Sequence, residues 1–327
     1  MKIAMAYFYD QHRDQIGLAK QMGVTHVVMN ASREDSTING SERPWEYVPL
    51  MQRIKGYEDI GLKVSVIEGP TPLDKVKLGL PGRDEEIEVF HTFLRTLSKL
   101  GVNTVCYNWM PIIGWFRTNL NIETRGGARA TAYNDELMKN APLTEAGYVT
   151  AETMWENLEY FLKAVVPVAE ESGVQLALHP DDPPVDSLMG IARIMTSADA
   201  FQRMMDIVPS AYNGLTLCQG SFAAMGEDIP SLITKFGQQK KIFFSHFRDI
   251  RGTAGNFIEA FHDDGQTDMF ECMKRYREIG YEGCMRPDHV PAMAGEENLN
   301  PGYSILGNLF AIGYMKGLME AVRKMDG

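Results

Sequence analysis

The chain has 327 residues, 44% of them hydrophobic and 23% charged, with a formal net charge of −11, a composition ordinary for a soluble globular protein. The acidic balance argues against nucleic-acid binding, which wants a basic face, and no apolar run is long enough to span a membrane. Cys106, Cys218, Cys272 and Cys284 are too sparse for a secreted disulfide framework, and the opening MKIAMAYFYDQHRDQ turns polar too soon for a signal peptide; a reducing, cytoplasmic location is expected.

Eight strand candidates follow in order: 2–9, 25–30, 63–69, 104–110, 174–180, 214–220, 241–249 and 283–289. They are rich in β-branched and aromatic residues and apolar on both faces, as parallel strands covered by helices must be. Between them lie amphipathic stretches. In 84–100, Ile87, Phe90, Leu94 and Leu97 recur at three- and four-residue spacing, and in 152–171 Trp155, Leu158, Leu162 and Val165 do the same. Pro167 is expected to kink that second helix because it removes a backbone donor, and Asp268 to cap the helix over 268–279. Gly23, Gly61, Gly101, Gly173 and Gly280 stand where a helix hands over to a strand, and glycine supplies the left-handed residue such an ending needs.

Eight strands alternating with helices predict an α/β fold, a single (β/α)8 TIM barrel domain over 1–327. An open doubly wound sheet would need a Gly-rich phosphate loop after an early strand, and none is present. Two stretches break the alternation, 117–150 after the fourth strand and 249–268 after the seventh. Both are expected as loops at the C-terminal mouth, where such barrels place their chemistry.

His179, Cys218, His246 and Asp288 each close one of the last four strands, about 30–40 residues apart, close to one β/α unit each. A lone histidine at a strand end is more often structural, and a lone buried cysteine usually packs as a small hydrophobe. Four potential ligands at the same end of consecutive strands argue instead for a divalent metal. A thiolate ligand favours Zn²⁺, Fe²⁺ or Co²⁺ over Mg²⁺, and the mixed nitrogen and oxygen set also admits Mn²⁺.

Other polar groups flank these four. Asp181 and Asp182 follow His179; one of them is suited to orient that imidazole from behind the metal, an Asx-type turn or helix cap being the other reading, and Asp181 is counted with the substrate-binding candidates. Arg248 lies two residues past His246, suited to a bidentate grip on a substrate carboxylate or to a salt bridge at the mouth. Glu68 and Asn108 end strands three and four and are candidates for binding hydroxyls. His289, next to Asp288, is a candidate acid or base. His12, His26, His91 and His262 have weaker context, with His91 expected on a helix surface. Cys106, Cys272 and Cys284 are expected as core or helix thiols.

LALHPDDPP (176–184), TLCQGS (216–221), FSHFRD (244–249), MRPDH (285–289) and NPGYS (300–304) together resemble the mannonate dehydratase family, as do 104–120 and 161–184. The resemblance implies an xylose-isomerase-like (β/α)8 barrel that removes water from D-mannonate, giving 2-keto-3-deoxy-D-gluconate, with Mn²⁺ or a similar ion. It places the metal ligands on His179, Cys218, His246 and Asp288 and the proton-transfer roles on His289 and Tyr303, with Asp288 contributing besides. The family's strings change here at 290–293, 249–252 and 220–226, and the insertion after strand four is short, so a substrate shifted away from mannonate is expected. The expected chemistry is β-elimination from a small sugar acid by a homo-oligomer with no nucleic-acid or membrane partner. The rivals are a metal-dependent sugar isomerase or epimerase and a non-catalytic metal-binding barrel.

Overall fold

The computed structural model describes residues 1–8, 15–31 and 43–325; Tyr9 and His12 lie outside them. Eight parallel strands close into a barrel: β1 (Lys2–Tyr7), β2 (His26–Met29), β3 (Lys63–Glu68), β4 (Thr104–Asn108), β5 (Gln175–His179), β6 (Asn213–Cys218), β7 (Ile242–Phe247) and β8 (Cys284–Pro287). Each strand pairs with its neighbour in sequence, and β8 returns to β1. The strands coincide with the predicted runs to within a residue at their starts, and each ends one or two residues sooner, where the chain turns away at the mouth.

The inner face carries mostly small residues, Ala4, Ala6, Val28, Val66, Cys106 and Ala177, and Phe243 and Phe244 take up the remaining volume. The outer face packs on the helices. Arg83–Leu100 buries Ile87, Phe90, Leu94 and Leu97, each side chain contributing about 1.5–3 kcal/mol of transfer free energy. That helix ends at Gly101, whose φ of 73° would strain any residue with a Cβ. Ala151–Ser172 runs on through Pro167 as one helix. Asp268 caps Met269–Glu278 by accepting a hydrogen bond from the Glu271 amide at 2.9 Å. Among the described residues no helix is long and apolar enough to cross a membrane.

Residues 117–150 depart from the irregular loop that their weak periodicity predicts. Asn119–Glu123 and Arg129–Asn134 pair antiparallel, and Asn256–Glu259 and Ile250–Thr253, from the loop after β7, extend them into one four-stranded sheet. The two mouth loops are therefore one covering element. A bridge from Arg129 to Ala292 ties it to the segment after β8.

Candidate active site

Barrel register brings the predicted ligands together. Cys218 stands opposite His246 across β6 and β7, and His179 opposite Asn108 across β5 and β4. His179 Nε2 lies 3.1 Å from His246 Nδ1, which lies 3.3 Å from Asp288 Oδ2; Cys218 Sγ is 4.0 Å from that same oxygen. The histidine tautomers follow from what stands behind each ring. His179 Nδ1 is 2.7 Å from the Pro180 carbonyl, which only accepts, so Nδ1 donates and Nε2 keeps its lone pair. His246 Nε2 faces Glu68 Oε1 at 3.3 Å, which turns Nδ1 inward.

The electrostatics suit a cation. Burial pushes the Cys218 thiol up, but the Arg248 guanidinium, with Nη1 3.5 Å from Sγ, and the two imidazoles hold it well below its ordinary value. Burial likewise opposes ionisation of Asp288, and Arg286, His289 and His246 hold its carboxyl well below the usual range. Burial and Arg286 disfavour charge on His246, yet Glu68 and Asp288 outweigh them and push it up to about 10. Positive charge is thus strongly favoured at this point. Two imidazole nitrogens, a thiolate and a carboxylate fit a divalent ion of the Zn²⁺, Fe²⁺, Co²⁺ or Mn²⁺ type. A second grouping, Glu68, Cys106 and His246, fits less well. Arg286 already holds both Glu68 oxygens, at 2.8 and 3.0 Å, and burial raises the Cys106 thiol well above its ordinary value.

A second layer of charge links this centre to the covering sheet. Arg248 donates to Asp182 Oδ2 at 2.8 Å and to both Glu259 oxygens at 2.9 and 2.7 Å. Arg117 donates to Asp182 at 2.6 and 3.0 Å and to Glu259 at 2.7 Å. All four side chains are buried. Despite burial, Arg117 and Arg248 hold the Asp182 carboxyl well below its ordinary value.

Above the centre is a cavity of about 110 Å³, with His289, Tyr303, Trp115 and Asn108 on its wall. His289 has a φ of 47°, a sparsely populated conformation for a residue with a Cβ. Its ring stacks on Trp115 at 5.1 Å and meets Tyr303 edge-on at 5.3 Å. Gly302 makes that approach possible, since a Cβ there would come within 2.9 Å of His289 Nδ1. That Nδ1 is buried with no hydrogen-bond partner among the described residues. Burial, reinforced by Arg248 and Arg117 against the pull of Asp288, keeps the imidazole neutral, well below its ordinary pKa.

The model of the family described as "D-mannonate dehydratase (UxuA)" matches residues 1–147 and 142–327. The chain belongs to this family. It is 38% identical to mannonate dehydratase of Thermotoga maritima, over 86% of this chain and 87% of that one. It is 32% identical to mannonate dehydratase 2 of Halalkalibacterium halodurans, over 98% and 99%. The crystal structure of mannonate dehydratase from Streptococcus suis serotype 2 superposes with a TM-score of 0.92 at 29% identity, covering 100% of this chain and 96% of that one. A D-tagatose 3-epimerase-like protein, at a TM-score of 0.63 and 14% identity, shares the barrel fold.

Within this dehydratase barrel, not every residue expected near substrate lies there. Glu68, Asn108, His179, His246, Asp288 and His289 line the cavity, with Tyr303. Arg248 does not. It is fully buried behind Cys218 with its guanidinium nitrogens on Asp182, Glu259 and Ser221, so it faces these groups and not the cavity where a substrate carboxylate is expected. Asp181 also turns away, accepting from the Met195 amide at 2.8 Å beside Arg193. Neither aspartate holds His179; the Pro180 carbonyl does. Glu68 reaches the cavity with both oxygens committed to Arg286 and His246. His91 is partly buried, 3.1 Å from the Ala164 carbonyl, and His262 is buried against Phe247. Cys106, Cys272 and Cys284 are buried free thiols. Trp115, Arg117, Glu259 and Arg286 were not among the expected site residues. Only Arg286 carried a signal in the sequence, standing two residues before Asp288 and so on the same strand face.

Proposed function

We propose that this chain eliminates water from D-mannonate. The observation that carries this reading is that His179, His246 and Asp288, with Cys218 4.0 Å behind Asp288 Oδ2, share one cavity with a neutral imidazole and a phenol. His179, Cys218, His246 and Asp288 would hold the ion, Mn²⁺ by the resemblance, and when bound it would supply Lewis-acid stabilisation of the charge that develops as the proton α to the carboxylate leaves. His289, neutral and with a bare nitrogen, is suited to accept that proton, and Tyr303 to donate one to the departing C3 hydroxyl. Trp115, stacked on His289, would shield the transfer on that side. Asn108 offers a hydrogen bond to substrate. The four buried thiols suit a reducing cytoplasm.

Three of the altered strings behind the expected shift to another substrate lie away from the cavity. Among the described residues, none of 220–226, 249–252 or 290–293 lines the cavity; they belong to the helix that follows Cys218, the covering sheet and its bridge instead. Steady-state kinetics with the metal-loaded protein test the reading. A kcat/KM on D-mannonate of about 10⁴ M⁻¹s⁻¹ or more, with a product lighter by one water, supports it. An isomeric product of unchanged mass would establish the epimerase alternative, and turnover only of another aldonate would restore the substrate shift.

A further inference from the structure

Lys77 is a buried charge that the elimination does not use. It sits on the one-turn helix Asp74–Leu78 that follows β3, only 7% exposed. Its Nζ donates to Asn108 Oδ1 at 3.1 Å and lies 3.5 Å from the Met110 carbonyl. Its carboxylate neighbour, Asp74, is a stretched 3.9 Å away. The Met110 amide donates to the same Asn108 oxygen, also at 3.1 Å. Two donors converging on one atom identify it as the carbonyl oxygen, which settles the usual ambiguity of a carboxamide. The NH2 is left on the cavity side, with no hydrogen bond to the described residues. The other polar groups on that wall, Glu68, Arg286 and Asp182, are committed to one another or to Arg117 and Arg248.

The lysine is held in place from behind. Asn157 Nδ2 donates to the Lys77 carbonyl at 2.9 Å, and the Val76 amide donates to Glu86 at 3.0 Å. Gly79 ends the helix with a φ of 67°, and a Cβ there would come within 2.8 Å of Asn157. Asp74, Glu86, Asp181 and Arg193 are the charged groups facing the ammonium; burial, helped by Arg193, outweighs the three carboxylates and brings its pKa down to about 8. A lysine buried so unfavourably, on so firm a mount, is retained for what it holds.

We propose that Lys77 is a positioning residue. By holding the Asn108 carbonyl it presents the amide NH2 to the cavity, so that the part of the sugar acid meeting this wall must be a hydrogen-bond acceptor, a carboxylate or hydroxyl oxygen. This rests on the sugar-acid reading above, and the test separates the two. D-Mannonate binding to the metal-loaded protein is measured by calorimetry, with turnover in parallel, for wild type, Lys77→Met, Lys77→Gln, Asn108→Ala and the Lys77→Met/Asn108→Ala pair. Each of Lys77→Met and Asn108→Ala should weaken binding about 10-fold, the worth of one hydrogen bond. The pair should be no weaker than Asn108→Ala alone, and Lys77→Gln, which keeps a donor, should recover most of the loss. Additive losses, or a Lys77→Gln variant as weak as Lys77→Met, overturn the role. If Lys77→Met does not fold, the Lys77→Gln and Asn108→Ala comparison decides, and weak binding by a stable Lys77→Gln overturns it. Wild-type binding without loss of water overturns the dehydratase reading while the binding cycle still tests Lys77; no aldonate binding at all overturns both.

Discussion

The floor of the mouth and the sheet that covers it use charge in opposite ways. On the floor, His179, Cys218, His246 and Asp288 crowd metal-type donor atoms against one another, each within 3.1–4.0 Å of another of the set. In the cover, Arg117 and Glu259 meet Arg248 and Asp182 in a closed set of pairs whose donors and acceptors satisfy one another. The floor gathers donors suited to a cation; the cover pairs its charges internally. Changes on the floor should therefore cost function and spare the fold, whereas changes in the cluster should cost the fold first.

The sharpest way to break this division is Tyr303→Phe, which should lower kcat by roughly 10²–10⁴, as expected for a lost acid or base, while the thermal midpoint stays near wild type. A midpoint that falls along with activity would make Tyr303 structural. Next in size is Glu259→Ala, which leaves two buried guanidinium groups sharing the single carboxylate of Asp182 and should destabilise by about 3–5 kcal/mol in denaturant titration. A loss under about 1 kcal/mol would show that the cluster does not hold the cover. Cys218→Ser should weaken metal binding by at least the 10–100-fold (about 1.4–2.7 kcal/mol) typical of lesser changes near a metal, and leave the metal-free midpoint close to wild type. Full metal retention against a chelator would remove Cys218 from the ligand set.

The smallest effect concerns pH. Lys77 has a folded pKa lowered to about 8, below the ordinary value near 10.4. The unfolded chain then binds more protons between these values, so stability rises with pH there. Wild type should gain on the order of 1 kcal/mol relative to Lys77→Met between pH 8 and 9. Parallel stability curves for the two proteins would mean that Lys77 carries no burial penalty. Asp182 has the same sign in a more acid window. Its lowered pKa adds stability above pH about 4 that is lost as pH falls further, and Asp288 on the floor acts in the same direction.

Much of the floor is legible in the amino-acid sequence. A parallel strand covered on both faces must be a continuous apolar run, so a polar residue closing such a run marks the point where the chain leaves the barrel. His179, Cys218 and His246 are found this way, and Asp288 from the same rule one residue past β8. The repeat then forces convergence, because every strand points the same way. Helix ends are equally local, as the Asp268 cap and Gly101 show.

The cover is not legible in that way, because its pairings join distant segments. Tyr133 meets Phe257, and nothing in either segment names the other. The same holds for the arginines. Arg248 and Arg286 both follow strand spacing into the mouth, but which one reaches the cavity depends on where carboxylates from other loops lie. Glu259 and Asp182 draw Arg248 behind Cys218, while Glu68 keeps Arg286 on the cavity wall. The sequence by itself therefore determined the barrel, its helix ends and the four strand-end donors, since each depends on residues a few positions apart. Only the tertiary structure decided that Arg248 and Asp181 turn away while Trp115, Arg286 and the Lys77–Asn108 pair shape the cavity, because a buried charge takes the partner nearest in space.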